Sequence, residues 1–396
     1  MSVDLTSCIF CACIVAVGCS RTPQAKISTV ESPHIDKHAV ERAVYHPDTS
    51  GANAILFLRD GIIWQADTSG TVQKQITKEG YSQDFFWIPQ TQRLITYGIY
   101  GKRVQIKTID TDSCKEDIIW DRPLAENNAG DENGVMYYFT FSVPLDGSMI
   151  AYGGDFLDNE NNGTYIYNCS TRSTRHFKCN NAIISPDGEE LAWVLDNNLH
   201  VTFLADSSEK QLTHYKSARG VYESNPHAYY NLETLHGVAA WSRDGTAVYY
   251  YYGNYGQGAD PENTTYHIHG VGIQDDTLRQ ITTSVKRQID EYLDQSADGQ
   301  YLYYSVMDVN GHVKFLKRVE IHSRSTIDIN PANVLTGFPI SVSASQRLLA
   351  YAQYEKYGER NGTAITGPAT FVMDLNGANS RKLIDSALSP KWKFAE

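Results

Sequence analysis

Residues Ile183 to Val194 read IISPDGEELAWV, in which two short apolar runs flank the tetrapeptide Ser185-Pro186-Asp187-Gly188. In such a turn the proline presets φ, the aspartate side chain hydrogen-bonds to nearby backbone, and the glycine accepts a positive φ. The two runs are therefore expected to be paired β-strands. A third run at 199–205 (LHVTFLA) and a short one ending in KQLTH at 210–214 complete a predicted four-stranded unit.

The same order of strands and turn recurs along the chain. The second residue of the turn falls at seven positions, 42 to 57 residues apart, which are Pro47, Pro89, Pro144, Pro186, Arg243, Ala297 and Ala344. A β-propeller blade has four strands and roughly 40 to 50 residues, and inserted loops lengthen the spacing. The sequence therefore predicts an all-β fold, a seven-bladed β-propeller of four-stranded antiparallel blades.

Two of the copies resemble a known repeat. Trp241-Ser242-Arg243-Asp244-Gly245, and Ser185 to Gly188 with Leu191-Ala192-Trp193, are similar to the TolB-type, WD-like repeat that also builds dipeptidyl-peptidase propellers. The second and seventh copies lack the Asp-Gly pair, so their turns are expected to be built otherwise. The resemblance implies a propeller over residues 43–396. It implies no single function, because such repeats serve scaffolds, inhibitors and enzymes alike.

A last fragment, SALSPKW at 386–392, repeats the start of a blade. Because a ring of blades removes its free edges only by closing, this strand is expected to pack beside the first blade. The segment AVYHPD at 43–48 competes for the same place, and an eighth, partial blade is the alternative.

The N-terminus is typical of a targeting segment. The apolar run Cys8 to Gly18 is shorter than the roughly 20 residues that cross a bilayer, and it suits a signal peptide at 1–18. It ends in Ala16-Val17-Gly18-Cys19, which resembles a bacterial lipobox and implies lipidation of Cys19 after cleavage. Residues 19–42 are then a polar tether. Because the leader contains Asp4 and no Lys or Arg, a plain secretory signal is the alternative.

The composition of the 396-residue chain excludes one class of partner. The net charge is −12 and no basic stripe occurs, whereas nucleic acids require clustered Lys and Arg. We therefore predict no nucleic-acid partner.

The sequence contains no Gly-x-Ser-x-Gly elbow, no His-Glu-x-x-His and no phosphate-binding loop. An enzyme that draws its His, Tyr and carboxylates from separate blades would leave no such motif. The sequence thus favours a non-catalytic protein but leaves enzymatic activity open.

Five long insertions are expected on one face of the ring, at 114–134, 155–163, 214–237, 252–263 and 354–368. Binding is predicted there because function concentrates on long loops, although tolerated surface elaboration is the alternative. The candidate ligand-binding residues are Tyr222, Glu223, His227, Tyr255, Asp260 and Tyr357.

Metal sites are weakly indicated. Asp158, Glu160, Asn162 and Gly163 resemble half of a calcium loop, but its twelfth position is Cys169 rather than Glu, so an Asn-rich turn is favoured. His267 and His269 alternate on a strand and share a face, yet no third ligand is identifiable. No metal or cofactor is predicted.

Cys169 and Cys179 flank a predicted hairpin whose turn lies near Arg172 and pairs Cys169 with about Arg175. Cys179 then lies more than about 10 Å away, beyond disulfide reach. A bridge between them is the less favoured alternative.

These inferences predict a lipid-anchored protein of the bacterial envelope, at the outer membrane or the periplasmic face, that contacts the membrane through its anchor only. Its loop-rich face would bind an envelope protein or a cell-wall component, including carbohydrate. The alternative is a carbohydrate-active lyase or glycosidase, or a peptide-cleaving enzyme, with its site at the mouth of the propeller channel.

Overall fold

The structure is a computed structural model. It describes residues 54–393 except 79, 89–90, 124–138, 155–162, 180–181, 216–232, 255–264, 284–287, 309–312, 330–336, 344–347 and 355–367. Within these residues all 28 regular elements are β-strands, arranged as seven four-stranded antiparallel blades. The predicted propeller is therefore confirmed. In the described part of the chain, no helix is long and apolar enough to cross a membrane.

In blades two to seven the strands lie side by side in chain order. Blade one contains β1 (Ala54–Arg59), β2 (Ile62–Asp67) and β3 (Gln73–Gln75); blade two β4 (Tyr81–Ile88), β5 (Arg93–Tyr100), β6 (Arg103–Asp110) and β7 (Lys115–Pro123); blade three β8 (Phe139–Ser142), β9 (Met149–Gly154), β10 (Gly163–Asn168) and β11 (Ser173–Phe177); blade four β12 (Ile183–Ile184), β13 (Glu190–Leu195), β14 (Asn198–Phe203) and β15 (Glu209–Gln211).

The remaining blades follow the same plan. Blade five contains β16 (Glu233–Trp241), β17 (Ala247–Asn254), β18 (Thr265–Gly272) and β19 (Leu278–Gln280); blade six β20 (Gln288–Gln295), β21 (Tyr301–Asp308), β22 (Val313–Glu320) and β23 (Thr326–Asp328); blade seven β24 (Gly337–Val342), β25 (Leu348–Tyr354), β26 (Pro368–Asp374) and β27 (Arg381–Asp385). The last strand, β28 (Leu388–Lys393), is the innermost strand of blade one.

Both ends of the described chain thus build blade one. β28 pairs antiparallel with β1, and Trp392 lies opposite Ile55. The Trp392 indole N–H donates to the Ser341 carbonyl of blade seven (3.0 Å), and Lys391 Nζ donates to Asp84 of blade two (2.7 Å). The C-terminal strand therefore closes the ring as its sequence predicts. The competing segment 43–48 lies outside the described residues.

The turn between the first and second strands is held by the same contacts in blades four, five and six. Ser185 Oγ donates to Asp187 (2.6 Å) and accepts the Glu190 N–H (2.9 Å), while Gly188 has φ of 77°. Ser242 and Ser296 make the equivalent contacts. The predicted turn chemistry is confirmed in these blades.

The turn of blade three differs by one residue from the prediction. The Gly147 N–H bonds to the Pro144 carbonyl, as the Gly188 N–H bonds to Ser185, so Pro144 is the first residue of the turn and Leu145 the second. The Leu145 N–H donates across to the Pro186 carbonyl of blade four (2.9 Å). A proline at the second position would have no N–H for this contact.

Blade two also corrects the sequence analysis. Residues 114–134 were expected to form a loop between blades, but β7 occupies nine of them as the outermost strand. It pairs with β6 along its length, and Lys107 Nζ contacts Glu116 (2.8 Å). The charged residues of this stretch obscured its strand pattern.

The hairpin β10–β11 is shorter than predicted. Arg172 lies in its turn with φ of 56°, as expected, but Asn168 pairs with Ser173 and Arg175 pairs with Ile166, so Cys169 belongs to the turn and has no strand partner. The pairing of Cys169 with about Arg175 is therefore wrong. Cys169 and Cys179 are both free thiols, which excludes the alternative of a bridge between them.

The hydrophobic core lies between blades. Trp241 and Tyr250 of blade five cluster with Ala192, Leu199 and Leu212 of blade four. Equivalent clusters fill the other described seams between neighbouring blades. A four-stranded sheet has two apolar faces and buries them only against its neighbours, which is why the repeat forms a ring.

Candidate functional site

The propeller has two different faces. We name the turn face after the short connections between first and second strands, and between third and fourth strands, which meet there. The loop-rich face carries the connections between second and third strands and between blades, because successive strands alternate in direction. Four of the five predicted insertions lie mainly on connections of the loop-rich face, and of the fifth, 114–134, only the part after β7 does so.

The predicted site residues lie outside the described residues. This holds for the six candidate ligand-binding residues, Tyr222, Glu223, His227, Tyr255, Asp260 and Tyr357, and for Cys19. Asp158, Glu160 and Asn162 of the half calcium loop also lie outside the described residues. The structure does describe the residues that border two of these loops, between blades four and five.

Five aromatic side chains meet there, and we refer to them as the aromatic-histidine cluster: Tyr215, Tyr250, Tyr252, His267 and His269. Tyr250 pairs with His269 and Tyr252 with His267 across β17 and β18, so the four project from one face of blade five. Tyr215 follows the last strand of blade four and packs against them. The sequence analysis singled out the two histidines and missed the three tyrosines.

The rings contact one another closely. Tyr215 stacks on Tyr252 with centroids 4.3 Å apart, and its hydroxyl lies 2.8 Å from the Tyr250 hydroxyl. His269 lies 5.2 Å from Tyr252 and 5.7 Å from Tyr250, and 6.3 Å from His267. The arrangement is an aromatic cluster with polar edges, in which Tyr250 is fully buried and the other four rings are partly exposed.

Two members of the cluster, His269 and Tyr250, are uncharged at neutral pH. Burial, and then the neighbouring His267, lower the pKa of His269 to about 4, so its imidazole is neutral. Burial also raises the pKa of the Tyr250 hydroxyl far above its ordinary value, and the Tyr215 hydroxyl adds to the shift. These two rings therefore interact through hydrogen bonds and ring stacking rather than through charge.

A tight turn of blade four holds both ends of the segment 216–232. Asp196 and Asn197 have positive φ, which suits a two-residue hairpin turn. Asn198 Oδ1 accepts the Tyr215 N–H (2.7 Å), and Asn197 Oδ1 accepts the Leu235 N–H (2.6 Å). The segment that carries Tyr222, Glu223 and His227 therefore begins and ends beside the cluster. The sequence Asp-Asn-Asn between two strands was the available signal for this turn.

The two histidines do not gather a metal site among the described residues. No group of three His, Cys, Asp or Glu side chains suitable for a metal ion is found in that part of the chain. His267 and His269 share a face as predicted, and the rings that lie against His269 are those of Tyr250, Tyr252 and His267.

Charged side chains of the innermost strands and of the turn after β16 pair across neighbouring blades. Lys391 contacts Asp84 at 2.7 Å, and Arg243 Nη2 lies 3.7 Å from Asp294. Asp294 also accepts the Val342 N–H of blade seven (2.8 Å). These contacts link neighbouring blades to each other.

Known proteins share this architecture. A family model described as the dipeptidyl peptidase IV (DPP IV) N-terminal region matches residues 155–257. This chain resembles dipeptidyl-peptidase and TolB-type propeller proteins, as its repeat predicts. Comparison with curated proteins gives no match.

Three solved structures illustrate the likeness. TolB from Acinetobacter baumannii is 13% identical with a TM-score of 0.48, covering 87% of this chain and 67% of that chain. An oligogalacturonate lyase in complex with manganese is 13% identical with a TM-score of 0.53, covering 84% and 95%. Dipeptidyl peptidase 4 from Porphyromonas gingivalis is 12% identical with a TM-score of 0.44, covering 78% and 54%. At such identities the likeness concerns the fold alone.

Proposed function

We propose that the protein is a non-catalytic binding protein of the bacterial envelope, anchored through Cys19, which engages a protein partner with its loop-rich face. The aromatic-histidine cluster carries this proposal. Its four partly exposed Tyr and His rings lie beside the ends of a long connecting segment, and aromatic side chains are enriched at protein interfaces.

The protonation states of the cluster favour binding over proton transfer. A general acid or base works best when its pKa is near the operating pH. The pKa of His269 is lowered to about 4 and that of Tyr250 is raised, so each keeps one protonation state at neutral pH. The partly exposed His269 therefore offers a partner one fixed donor and one fixed acceptor, while the buried Tyr250 supports the cluster from below.

Site-specific photo-cross-linking in cells tests the proposal. Leu195 is 53% exposed beside the turn that holds segment 216–232, and Leu278 is 50% exposed at the turn-face end of blade five. A photo-reactive residue at position 195 is expected to give a discrete protein adduct, and the matched residue at 278 none. Tyr252→Ala, with an unchanged melting temperature, should abolish the adduct at 195.

Two results would overturn the protein-binding proposal. One is equal adducts from both positions, and the other is an adduct at 195 that survives Tyr252→Ala. Co-sedimentation of the purified chain with peptidoglycan, lost in Tyr252→Ala while no protein adduct forms, would replace the protein partner by a cell-wall glycan.

The anchor is tested separately. Cys19→Ser is expected to release the protein from the membrane fraction, since several buried acyl chains at about 0.8 kcal/mol per methylene hold a lipoprotein there. Continued fractionation of the variant with membranes after washing without detergent would contradict lipid anchoring.

A second candidate is a carbohydrate-active enzyme with its site at the channel mouth. The likeness in fold to oligogalacturonate lyase favours it. Turnover of oligogalacturonate or another polysaccharide by the full chain, with and without added manganese, would support this candidate and remove the non-catalytic one.

A further inference from the structure

Blades five and six are joined by a strand pairing as well as by packing. At the loop-rich face β18 and β20 run parallel, with Thr265 opposite Gln288 and Tyr266 opposite Ile289. Among the described strands this is the one pairing that links two blades, and it merges them into an eight-stranded sheet. The connection that carries Tyr255 and Asp260 enters β18 at this point.

A buried carboxyl group lies directly below the pairing. Asp290 of β20 is 1% exposed, and it sits opposite Val306, which clusters with Ile268 and Ile281 of blade five. Its Oδ2 accepts the Thr282 hydroxyl at 2.5 Å, while its Oδ1 is buried without a hydrogen-bond partner. An ionised carboxylate in such a place lacks the donors that it needs.

The threonine that contacts Asp290 belongs to a hydrogen-bonding motif that recurs in three blades. Thr77, Thr213 and Thr282 each end a Gln-Ile/Leu-Thr sequence, and each accepts a third-strand N–H at 2.8 to 2.9 Å. In blade four the Thr213 hydroxyl donates to the Asn198 amide oxygen (3.3 Å). Only blade five, among these three, places an ionisable acceptor there.

The charged groups near Asp290 do not offset the effect of burial on its pKa. Burial is the main influence and raises the pKa of Asp290 to about 7, although the Thr282 hydroxyl and the Lys317 ammonium lower it. Lys317 already contacts Asp328 (3.2 Å). Tyr304 of the facing strand β21 is also buried, and burial with the Asp290 charge raises its pKa.

We propose that Asp290 is a proton-operated latch on the seam between blades five and six. The protonated carboxyl keeps the β18–β20 pairing closed at the loop-rich face, and its ionisation loosens that pairing. The latch acts on the strands that support the loop-rich face. The proposal does not depend on whether that face binds a partner.

Proton linkage gives the direction of the effect. The closed seam binds a proton more tightly than an opened seam, in which Asp290 regains an ordinary pKa of about 3.9. Closure is therefore fullest below about pH 4 and is lost progressively as the pH rises to about 7, with no further change above. Between pH 5 and pH 8 the opening equilibrium should rise by roughly a hundredfold.

Hydrogen exchange of the full chain measures this opening. Peptides that cover 265–268 and 288–290, corrected for intrinsic exchange rates, are expected to lose protection between pH 5 and pH 7. In Asp290→Asn, which keeps the shape and the Thr282 contact, protection should be independent of pH. Peptides of β13 and β14 in blade four provide an internal reference for global unfolding.

A matched pair of variants separates the latch from general loss of a threonine. Thr282→Val should change the pH dependence of exchange at the seam, while Thr213→Val should weaken its own blade and leave the seam's pH dependence unchanged. The proposal is overturned if wild-type seam exchange is independent of pH, if Asp290→Asn retains the wild-type pH dependence, or if β13 and β14 lose protection in parallel.

Discussion

The two seams of the fifth blade bury opposite kinds of titratable group. Towards blade four, His269 lies among tyrosines and its pKa is lowered to about 4. Towards blade six, Asp290 lies among apolar side chains and its pKa is raised to about 7. Burial is the leading cause in both, because it disfavours the charged form whatever its sign. Falling pH therefore destabilises the seam towards blade four, and rising pH destabilises the seam towards blade six.

The alternation of a β-strand produces this contrast. Successive side chains of β18 point to opposite sides of the sheet, so His267 and His269 face blade four while Ile268 faces blade six. A single strand thus forms half of an aromatic polar seam and half of an apolar seam. The faces of one blade can then specialise without a change of fold.

The largest expected effect concerns Asp290. Because its pKa is raised by about three units, ionisation costs the folded state up to about 4 kcal/mol above pH 7. Asp290→Asn should therefore be more stable than wild type by up to that amount at pH 8 and by only about 1 kcal/mol at pH 4.5. Urea unfolding at both pH values measures the difference, and equal stabilities at pH 8 would contradict the assigned environment.

His269 should show a smaller effect of opposite sign. Its folded pKa is lowered, so its contribution is full above its ordinary pKa of about 6.5 and is lost as the pH falls to about 4, by up to about 2 kcal/mol after solvent screening. His269→Gln should lessen acid destabilisation in that range. His176→Gln, at an exposed histidine of blade three, serves as the control and should leave the acid limb unchanged.

The two slopes oppose each other between about pH 4 and pH 6.5. A wild-type stability curve therefore conceals both groups, and only the single variants reveal them. A double variant, Asp290→Asn with His269→Gln, should show a flatter profile than either single variant if the seams act independently.

The sequence predicted the ring and its closure, but it did not predict these seams. The Ser-x-Asp-Gly turns are local, since Ser185, Asp187 and Gly188 interact within six residues, and such signals can be read from one segment. Asp290 and Thr282 meet across two blades, and Tyr215 meets Tyr252 in the same way. Their contact depends on how sheets pack, which the repeat spacing does not encode.

A repeated signal for part of the seam was nevertheless present. Gln-Ile-Thr, Gln-Leu-Thr and Gln-Ile-Thr end the fourth strands of blades one, four and five. Each threonine is buried and accepts a hydrogen bond from the third strand. The acceptor of the hydroxyl differs between blades four and five, an amide for Thr213 and a carboxyl group for Thr282, and that difference is what sequence reasoning missed.

The third prediction uses these threonines to compare the seams directly. Thr282→Val removes a hydrogen bond to a carboxyl group, so its cost should rise from about 1 kcal/mol at pH 5 to about 2 kcal/mol at pH 8, where the acceptor is charged. Thr213→Val removes a bond to a neutral amide and should cost about 1 kcal/mol at both. Chemical unfolding at the two pH values checks this, and a pH-independent cost for Thr282→Val would remove the distinction between the seams.

The smallest expected effect falls on the seam between blades three and four, where burial raises the pKa of the Cys179 thiol to about 11, so that this group stays neutral between pH 5 and pH 8. Gly188 of blade four has φ of 77°, and a side chain there would meet Met149 and Pro144 of blade three at 3.5 Å, an ordinary contact distance. Gly188→Val should therefore cost about 1 kcal/mol from backbone strain alone, equally at pH 5 and pH 8. Gly237→Val is the matched control, because Gly237 has no positive φ and open space around it, and its melting temperature should not change. A cost for Gly188→Val that varied with pH would show that titration reaches beyond the two seams of blade five.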